Sequence, residues 1–234
     1  MRNTNWLDKL KNYWVQDVSF VTLLLMLVFT LFIMPVLFES DLSLLPLLNI
    51  MMLSIFLVGI LSAYNYLLLV IATTFFLVSF ILRMSHFFEV YHGFPVLESV
   101  FSCLNLLVFI ITNFMLLFRD RKFNFYRIIG AINVYFLIAL LGAFSFYIIE
   151  MTFGDSLSGN IELKGDESDF SQYIYFSLTS LTTVGFGDIY PVNQAAKMLS
   201  TFLAALGILY PAAVVAGLFS LISLKPEEGD LKTD

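Results

Sequence analysis

Charged residues are scarce in this sequence: they make up 13% of its 234 residues, whereas 59% are hydrophobic. The mean hydropathy is accordingly high, at +0.89. Soluble domains carry about 25% charged residues, so a water-soluble fold is excluded and a membrane is the expected solvent. The net charge is −6 and the sequence has no basic patch, which excludes nucleic acid as a partner.

Cysteine is nearly absent too. Cys103 is the single cysteine, so no intrachain disulfide can form, and its apolar neighbours favour a packing role. His86 and His92 have no cysteine and little acid beside them, so no metal site is expected there. No constellation of nucleophile, base or metal ligands is present, and the sequence therefore predicts a protein that is not an enzyme.

Long apolar runs dominate what is present. A helix needs about 20 apolar residues to cross the hydrocarbon layer. Arg83, near the end of one run, is expected to snorkel to the interface, with pairing to Asp41, Glu89 or Glu98 as the alternative. The runs predict six spans: Val15–Phe38, two within the charge-free run Leu42–Leu82 that divides at Ser62–Tyr66, then Val96–Phe118, Ile128–Ile149 and Ala196–Leu224.

A half-length apolar stretch lies between the last two spans. Asp169 followed by Gln172 is typical of a capping box, which predicts a short helix that starts near Phe170 and dips into the membrane. The chain must then return through Val184–Gly187. Non-helical backbone at membrane depth is buried in protein or lines a water-filled path. Alternate glycines let consecutive carbonyls point to one side, and a row of carbonyls can replace the water shell of a cation. One copy offers too few oxygens, so several copies are expected around an axis.

The return segment also resembles a known signature. Thr183–Asp188, TVGFGD, is similar to the filter of the tetrameric potassium channels, with Phe where Tyr is commoner. The resemblance implies a fourfold homotetramer that coordinates K⁺ through the carbonyls of Thr183, Val184, Gly185 and Phe186 and the Thr183 hydroxyl. K⁺ is then the permeant ion, and no cofactor is implied. The filter residues are Thr183, Val184, Gly185, Phe186 and Gly187, and their implied support residues are Tyr175, Phe176, Thr179, Asp188 and Glu150.

The sequence departs from the family pattern behind the filter. The aromatic pair is Tyr-Phe rather than Trp-Trp, and Thr179 stands where some relatives have a glutamate. Any brace on Asp188 therefore needs another donor, for which the Tyr175 hydroxyl is predicted. Gly207 sits where the family has its inner-helix hinge, and Pro211 cannot donate to the carbonyl of Gly207. This pair is a predicted gating hinge, with a fixed kink or close helix packing as the alternatives.

The predicted fold class is an all-α membrane protein with six transmembrane helices, a re-entrant pore helix and a filter loop. Basic residues near the N-terminus and after the fourth span place both termini in the cytoplasm, in a plasma or inner membrane. The predicted domains are a cytoplasmic N-terminus (1–14), a four-helix peripheral domain (15–118), a basic linker (119–127), a pore domain (128–224) and a tail (225–234).

The predicted function is passive, potassium-selective conduction in contact with membrane lipids. Glu98 is the only charged residue of the fourth span, so no intrinsic voltage sensor is expected. The tail is too short to fold as a ligand-binding domain. A non-selective cation channel and a silent regulatory subunit are the alternatives. A carrier is disfavoured because the loop occurs once and is complete.

Overall fold

A computed structural model of the chain describes residues 19–40, 45–63, 65–87, 95–118, 124–161, 163–164 and 167–223. These residues are mostly helical. The predicted N-terminus (1–14) and tail (225–234), most of the basic linker, and Asp41 and Glu89 lie outside the described residues.

The first predicted span is a helix interrupted by a π turn. Helix α1 (Ser19–Val28) continues through π-helical residues Phe29–Ile33 into α2 (Met34–Ser40). The backbone N–H of Met34 bonds to the carbonyl of Phe29, five residues back. Pro35 lacks an N–H, and its ring crowds the preceding turn, so a wider turn before it keeps the helix continuous.

The long charge-free run divides where the sequence predicted. Helix α3 spans Leu45–Ser62 and α4 spans Tyr66–Phe87. The Asn65 side chain accepts a hydrogen bond from Leu67 N at 3.1 Å, which caps the start of α4. The apolar part of α3, Leu47–Ser62, is shorter than the other candidate spans. Among the described residues, five helical segments are long and apolar enough to cross a membrane: Ser19–Leu37, Tyr66–Met84, Val96–Leu117, Phe125–Phe153 and Gln194–Leu218.

Helix α5 (Pro95–Leu117) pairs with α4 through an ion pair. Arg83 Nη2 and Nε both lie 2.6 Å from Glu98 Oε1, and the two side chains are 13% and 12% exposed. The expectation that Arg83 snorkels to the interface was therefore wrong. A carboxylate on the adjacent helix supplies the partner that a charge near the membrane edge requires.

Helix α6 (Phe125–Phe153) is the centre of the fold and begins earlier than predicted. Asn124 caps it by accepting from Tyr126 N, so Phe125–Arg127, assigned to the linker, form its first turn. Arg127 is 1% exposed there. Rings connect the outer half of α6 to its neighbours, because Phe144 lies 6.4 Å from Phe56 of α3 and 4.7 Å from Phe170.

Two short strands add to the helices and were missed by the all-α prediction. Strand β1 (Leu157–Gly159) pairs antiparallel with β2 (Ile189–Pro191), with Ser158 opposite Tyr190. Between them lies α7 (Phe170–Leu181), and after them comes α8 (Gln194–Ser223). Strands of three residues are too short to show an alternating apolar pattern. The ribbon ties the segment after α6 to the segment that precedes α8.

Candidate functional site

The short helix α7 starts at Phe170, as the sequence predicted, but without the predicted capping box. Asp169 has helical dihedral angles (φ −73°, ψ −12°) and makes no side-chain capping hydrogen bond. It ends a 3₁₀ turn, Glu167–Asp169, that leads directly into α7. A residue with helical dihedrals cannot turn its side chain onto the amides that follow it, which explains the difference.

Polar and aromatic contacts fix α7 against α6. The buried Ser177 hydroxyl donates to the carbonyl of Ala139 at 2.6 Å. Gly142 permits this approach, since a Cβ there would lie 2.2 Å from Ser177 Oγ. The rings of Phe176 and Phe146 meet edge to face at 5.0 Å. The end of α7 is therefore held on a rigid surface.

The return segment, residues 182–188, is anchored on the last turn of α7. The carbonyl of Thr179 accepts hydrogen bonds from the backbone of Val184 at 3.1 Å and Gly185 at 3.3 Å. Thr183 N donates to Ser180 O at 3.0 Å. The Thr179 hydroxyl donates to its own helix, at Phe176 O. Thr179 thus supports the return segment through its carbonyl rather than its side chain.

The backbone dihedral φ alternates in sign along the return segment. Thr183, Gly185 and Gly187 have positive φ (+59°, +51° and +80°), and Val184 and Phe186 between them do not. A backbone whose φ alternates in sign can turn successive carbonyls to the same side of the chain. Glycine adopts positive φ without cost, whereas Thr183 is strained by about 1–2 kcal/mol.

The return segment is exposed in the single chain. Val184 is 53% exposed and Phe186 is 72% exposed. A membrane protein keeps non-helical backbone buried in protein or beside water. The exposed segment therefore needs either further copies of the chain or a water-filled path beside it.

Tyr175 and Asp188 meet at the outer end of the segment, as the sequence paired them. The Tyr175 hydroxyl donates to Asp188 Oδ2 at 2.6 Å, and Ile189 N donates to Asp188 Oδ1 at 3.0 Å. The hydrogen bond from Tyr175 holds the pKa of Asp188 below its usual range. The Phe186 ring stacks on the Tyr175 ring at 6.5 Å with an interplanar angle of 6°. Tyr175 thus contacts both Phe186 and Asp188 in the outer half of the return segment.

Tyr175→Phe is expected to make ion flux more sensitive to acid. A lowered carboxyl pKa means that the ionised brace persists as pH falls through the ordinary Asp value of about 3.9 and is lost only below it. Without the hydroxyl, the pKa of Asp188 returns toward its ordinary value. The midpoint for acid loss of flux from liposomes should therefore move to higher pH. Tyr190→Phe, on the exposed Tyr190 of β2, is the matched control, and an equal shift in both variants would contradict the brace.

Glu150 is linked through Ser156 to the segment after the return segment. Its Oε2 accepts from the Ser156 backbone N at 2.7 Å and from the Ser156 hydroxyl. The Ser156 carbonyl in turn accepts from Val192 N at 2.9 Å. Ser156 is fully buried and was missed, because nothing in its sequence neighbourhood marks it.

Asn193 is the second functional candidate that sequence reasoning missed. Its Nδ2 donates to Gly154 O at 2.9 Å, and its Oδ1 accepts from Ala196 N at 2.8 Å. It therefore caps α8 and binds the turn that ends α6. An asparagine just before an apolar run is the signal that could have found it.

Gly207 lies beneath the return segment, against α7. A Cβ at Gly207 would lie 1.6 Å from the Leu181 carbonyl oxygen, which also accepts from the Tyr135 hydroxyl at 3.0 Å. This contact gives Gly207 a packing role, the alternative that the sequence left open. Pro211 is exposed inside the continuous helix α8. The hinge assigned to this pair stays a prediction.

Residues 134–223 match the model of a family described as an ion channel. The match covers most of α6 and all of α7, the return segment and α8. Comparisons with curated proteins and with solved structures gave no match. The family match supports the function of an ion channel, and the apolar helices support an integral membrane protein.

Proposed function

We propose that the chain is a potassium-selective channel whose filter is Thr183–Gly187. The proposal rests on the alternating sign of φ along the segment, which is positive at Thr183, Gly185 and Gly187. It supplies a row of carbonyls that can replace the hydration shell of K⁺, with the carbonyls of residues 183–186 and the Thr183 hydroxyl as ligands. The C-terminal end of α7 adds a partial negative charge beside the inner end of the row.

We propose further that four copies assemble around the filter. The exposure of Val184 and Phe186 in one chain supports this, because such a segment needs cover or water at membrane depth. Four copies related by a fourfold axis turn each carbonyl into a ring of ligands and close the assembly. The proposed protomer has six spans, a peripheral domain (15–118), a pore domain (128–224) and both termini in the cytoplasm of a plasma or inner membrane.

The proposed channel has no intrinsic voltage sensor. Steep voltage gating needs several charges that move through the field, each worth about 2.3 kcal/mol per 100 mV. Glu98 is the only charged residue of α5, and its carboxylate is paired with Arg83. The contacts from Phe56 through Phe144 to Phe170 instead support a packing role of the peripheral domain beside α7.

Flux from liposomes that contain the purified full chain tests the proposal. Potassium gradients should drive flux that sodium gradients do not. Equal potassium and sodium flux would favour a non-selective cation channel. The absence of flux at every voltage and pH would favour a silent regulatory subunit.

Gly185→Ala should abolish most of this potassium flux. Gly185 has φ +51° with open space around it in the single chain, so an alanine meets no clash within its own chain. The left-handed backbone costs an alanine about 1–2 kcal/mol, which favours a flipped peptide. Gly154→Ala is the control: Gly154 has φ +67° and ψ 168°, a conformation essentially restricted to glycine, also in open space, but it caps α6 instead of lining the filter. Equal loss of flux in the two variants would show a folding defect and contradict the filter assignment.

A further inference from the structure

Unpaired polar side chains line α4 and one face of α5, away from the filter. Among the described residues, Ser79, Arg83, Ser102 and Asn105 hold buried polar atoms without a hydrogen-bond partner: the two serine hydroxyls, Arg83 Nη1, and both amide atoms of Asn105. Ser102 and Asn105 are both 0% exposed. Buried polar groups are nearly always paired, so a partner outside the protein atoms is expected here.

The ion pair fixes how these side chains are arranged. Arg83 lies near the end of α4 and Glu98 near the start of α5. Because these two residues are in contact, the two consecutive helices run antiparallel. Ser79 lies one turn before Arg83, and Ser102 lies one turn after Glu98 on the same face of its helix. Both serines are therefore one turn deeper than the ion pair. The rings of Phe75 and Phe101, 6.0 Å apart, pack beside this level.

Asn105 marks the deep end of the site. It lies seven residues after Glu98, on the same face of α5. One turn further, Phe109 is 1% exposed. It packs closely on Gly59, since a Cβ at Gly59 would lie 2.9 Å from the Phe109 ring. Beyond it, Thr112 and Asn113 donate to carbonyls of their own helix at 2.8 and 3.0 Å. The unpaired groups thus end at Phe109.

We infer that water molecules fill this site, in a chain from the Arg83 guanidinium past Ser79 and Ser102 to Asn105. Hydroxyls and an amide offer donors and acceptors in the mixture that water matches, and buried waters typically bond to such groups. The Arg83–Glu98 pair has no net charge, so the site needs no resident ion and is filled by neutral hydrogen-bonding molecules. The site opens to water at the partly exposed ion pair, where the Arg83 and Glu98 side chains are 13% and 12% exposed. It ends at Phe109, so it is not a second permeation path, and it does not depend on the filter.

Silver ions test whether water reaches the site, because they react with thiols but do not dissolve in lipid. In full chains with Cys103→Ser, the variants Ser102→Cys and Asn105→Cys are compared in liposomes with Leu106→Cys and Leu107→Cys. Leu106 is 0% exposed, and Leu107 is exposed on the opposite face. The readout is the rate at which silver blocks later maleimide labelling of the denatured protein. Ser102→Cys and Asn105→Cys should react at least about tenfold faster than both leucine variants, since only they adjoin water. Rates equal to that of Leu106→Cys would overturn the inference.

The unaltered chain provides a second test that does not depend on how the cysteine variants fold. A cryo-EM map that resolves ordered water should contain density within hydrogen-bond distance of Asn105 and Ser102. Protein side chains in that position, bonded to the Asn105 amide, would overturn the water site.

Discussion

Gly207→Ala is expected to destabilise the protein by about 1–3 kcal/mol and to abolish most potassium flux. The new Cβ would lie 1.6 Å from the Leu181 carbonyl oxygen, so either α8 must move away or the end of α7 must shift. Leu181 directly precedes the return segment, and its carbonyl is also held by the Tyr135 hydroxyl. A shift there moves Thr183, the proposed innermost ligand. The thermal midpoint of the purified protein and its flux from liposomes measure the two effects.

Gly217→Ala is the matched control on the same helix. A Cβ at Gly217 would lie 3.1 Å from the Phe118 ring, a side chain that can yield by a few tenths of an ångström. Alanine is the better helix former by about 0.5–1 kcal/mol, so this variant should be as stable as the parent or more stable. Comparable losses in both variants would refute the close contact between Gly207 and Leu181.

A substitution at Gly207 cannot separate a hinge from packing, because it changes both. Pro211 offers the separation. It is exposed, and Pro211→Ala restores a donor to the Gly207 carbonyl without adding atoms near Leu181. Altered open probability in Pro211→Ala would support the hinge, whereas unchanged gating would leave close packing as the role of Gly207.

The sequence predicts those parts of the site that depend on local pattern. The left-handed positions at Gly185 and Gly187 follow from residue type. The start of α7 at Phe170 was predicted correctly, although from a capping box that the structure does not contain. The pairing of Tyr175 with Asp188 follows from asking which donor is present where the potassium channels that the segment resembles have another. In each case, the information lies within a few residues of the feature.

The contacts that the sequence does not predict join distant segments. The approach of Gly207 to Leu181 depends on how α8 crosses α7, and the bonds of Ser156 depend on the β1–β2 pairing. The capping box failed for a related reason, since the 3₁₀ turn before Phe170 places Asp169 inside helical backbone. Arg83 was assigned to the interface, with Glu98 as one of three alternative partners, because the sequence does not reveal which carboxylate the neighbouring helix presents.

Glu98→Leu is expected to destabilise the protein by about 3–5 kcal/mol, because it leaves the mostly buried Arg83 guanidinium of α4 without its counter-charge. The double variant Arg83→Met/Glu98→Leu removes both charges and fills similar volume, so its stability should return to within about 1 kcal/mol of the parent or exceed it. Thermal midpoints of the two single variants and the double variant form a double-mutant cycle that isolates the pair. If the single and double variants were equally stable, the guanidinium would have another partner, and the register that the ion pair sets between α4 and α5 would need revision.

Potassium flux of the double variant provides the second readout. Flux equal to that of the parent would show that the proposed channel conducts without any charge on the adjoining faces of α4 and α5. This result is expected for a peripheral domain that senses no voltage.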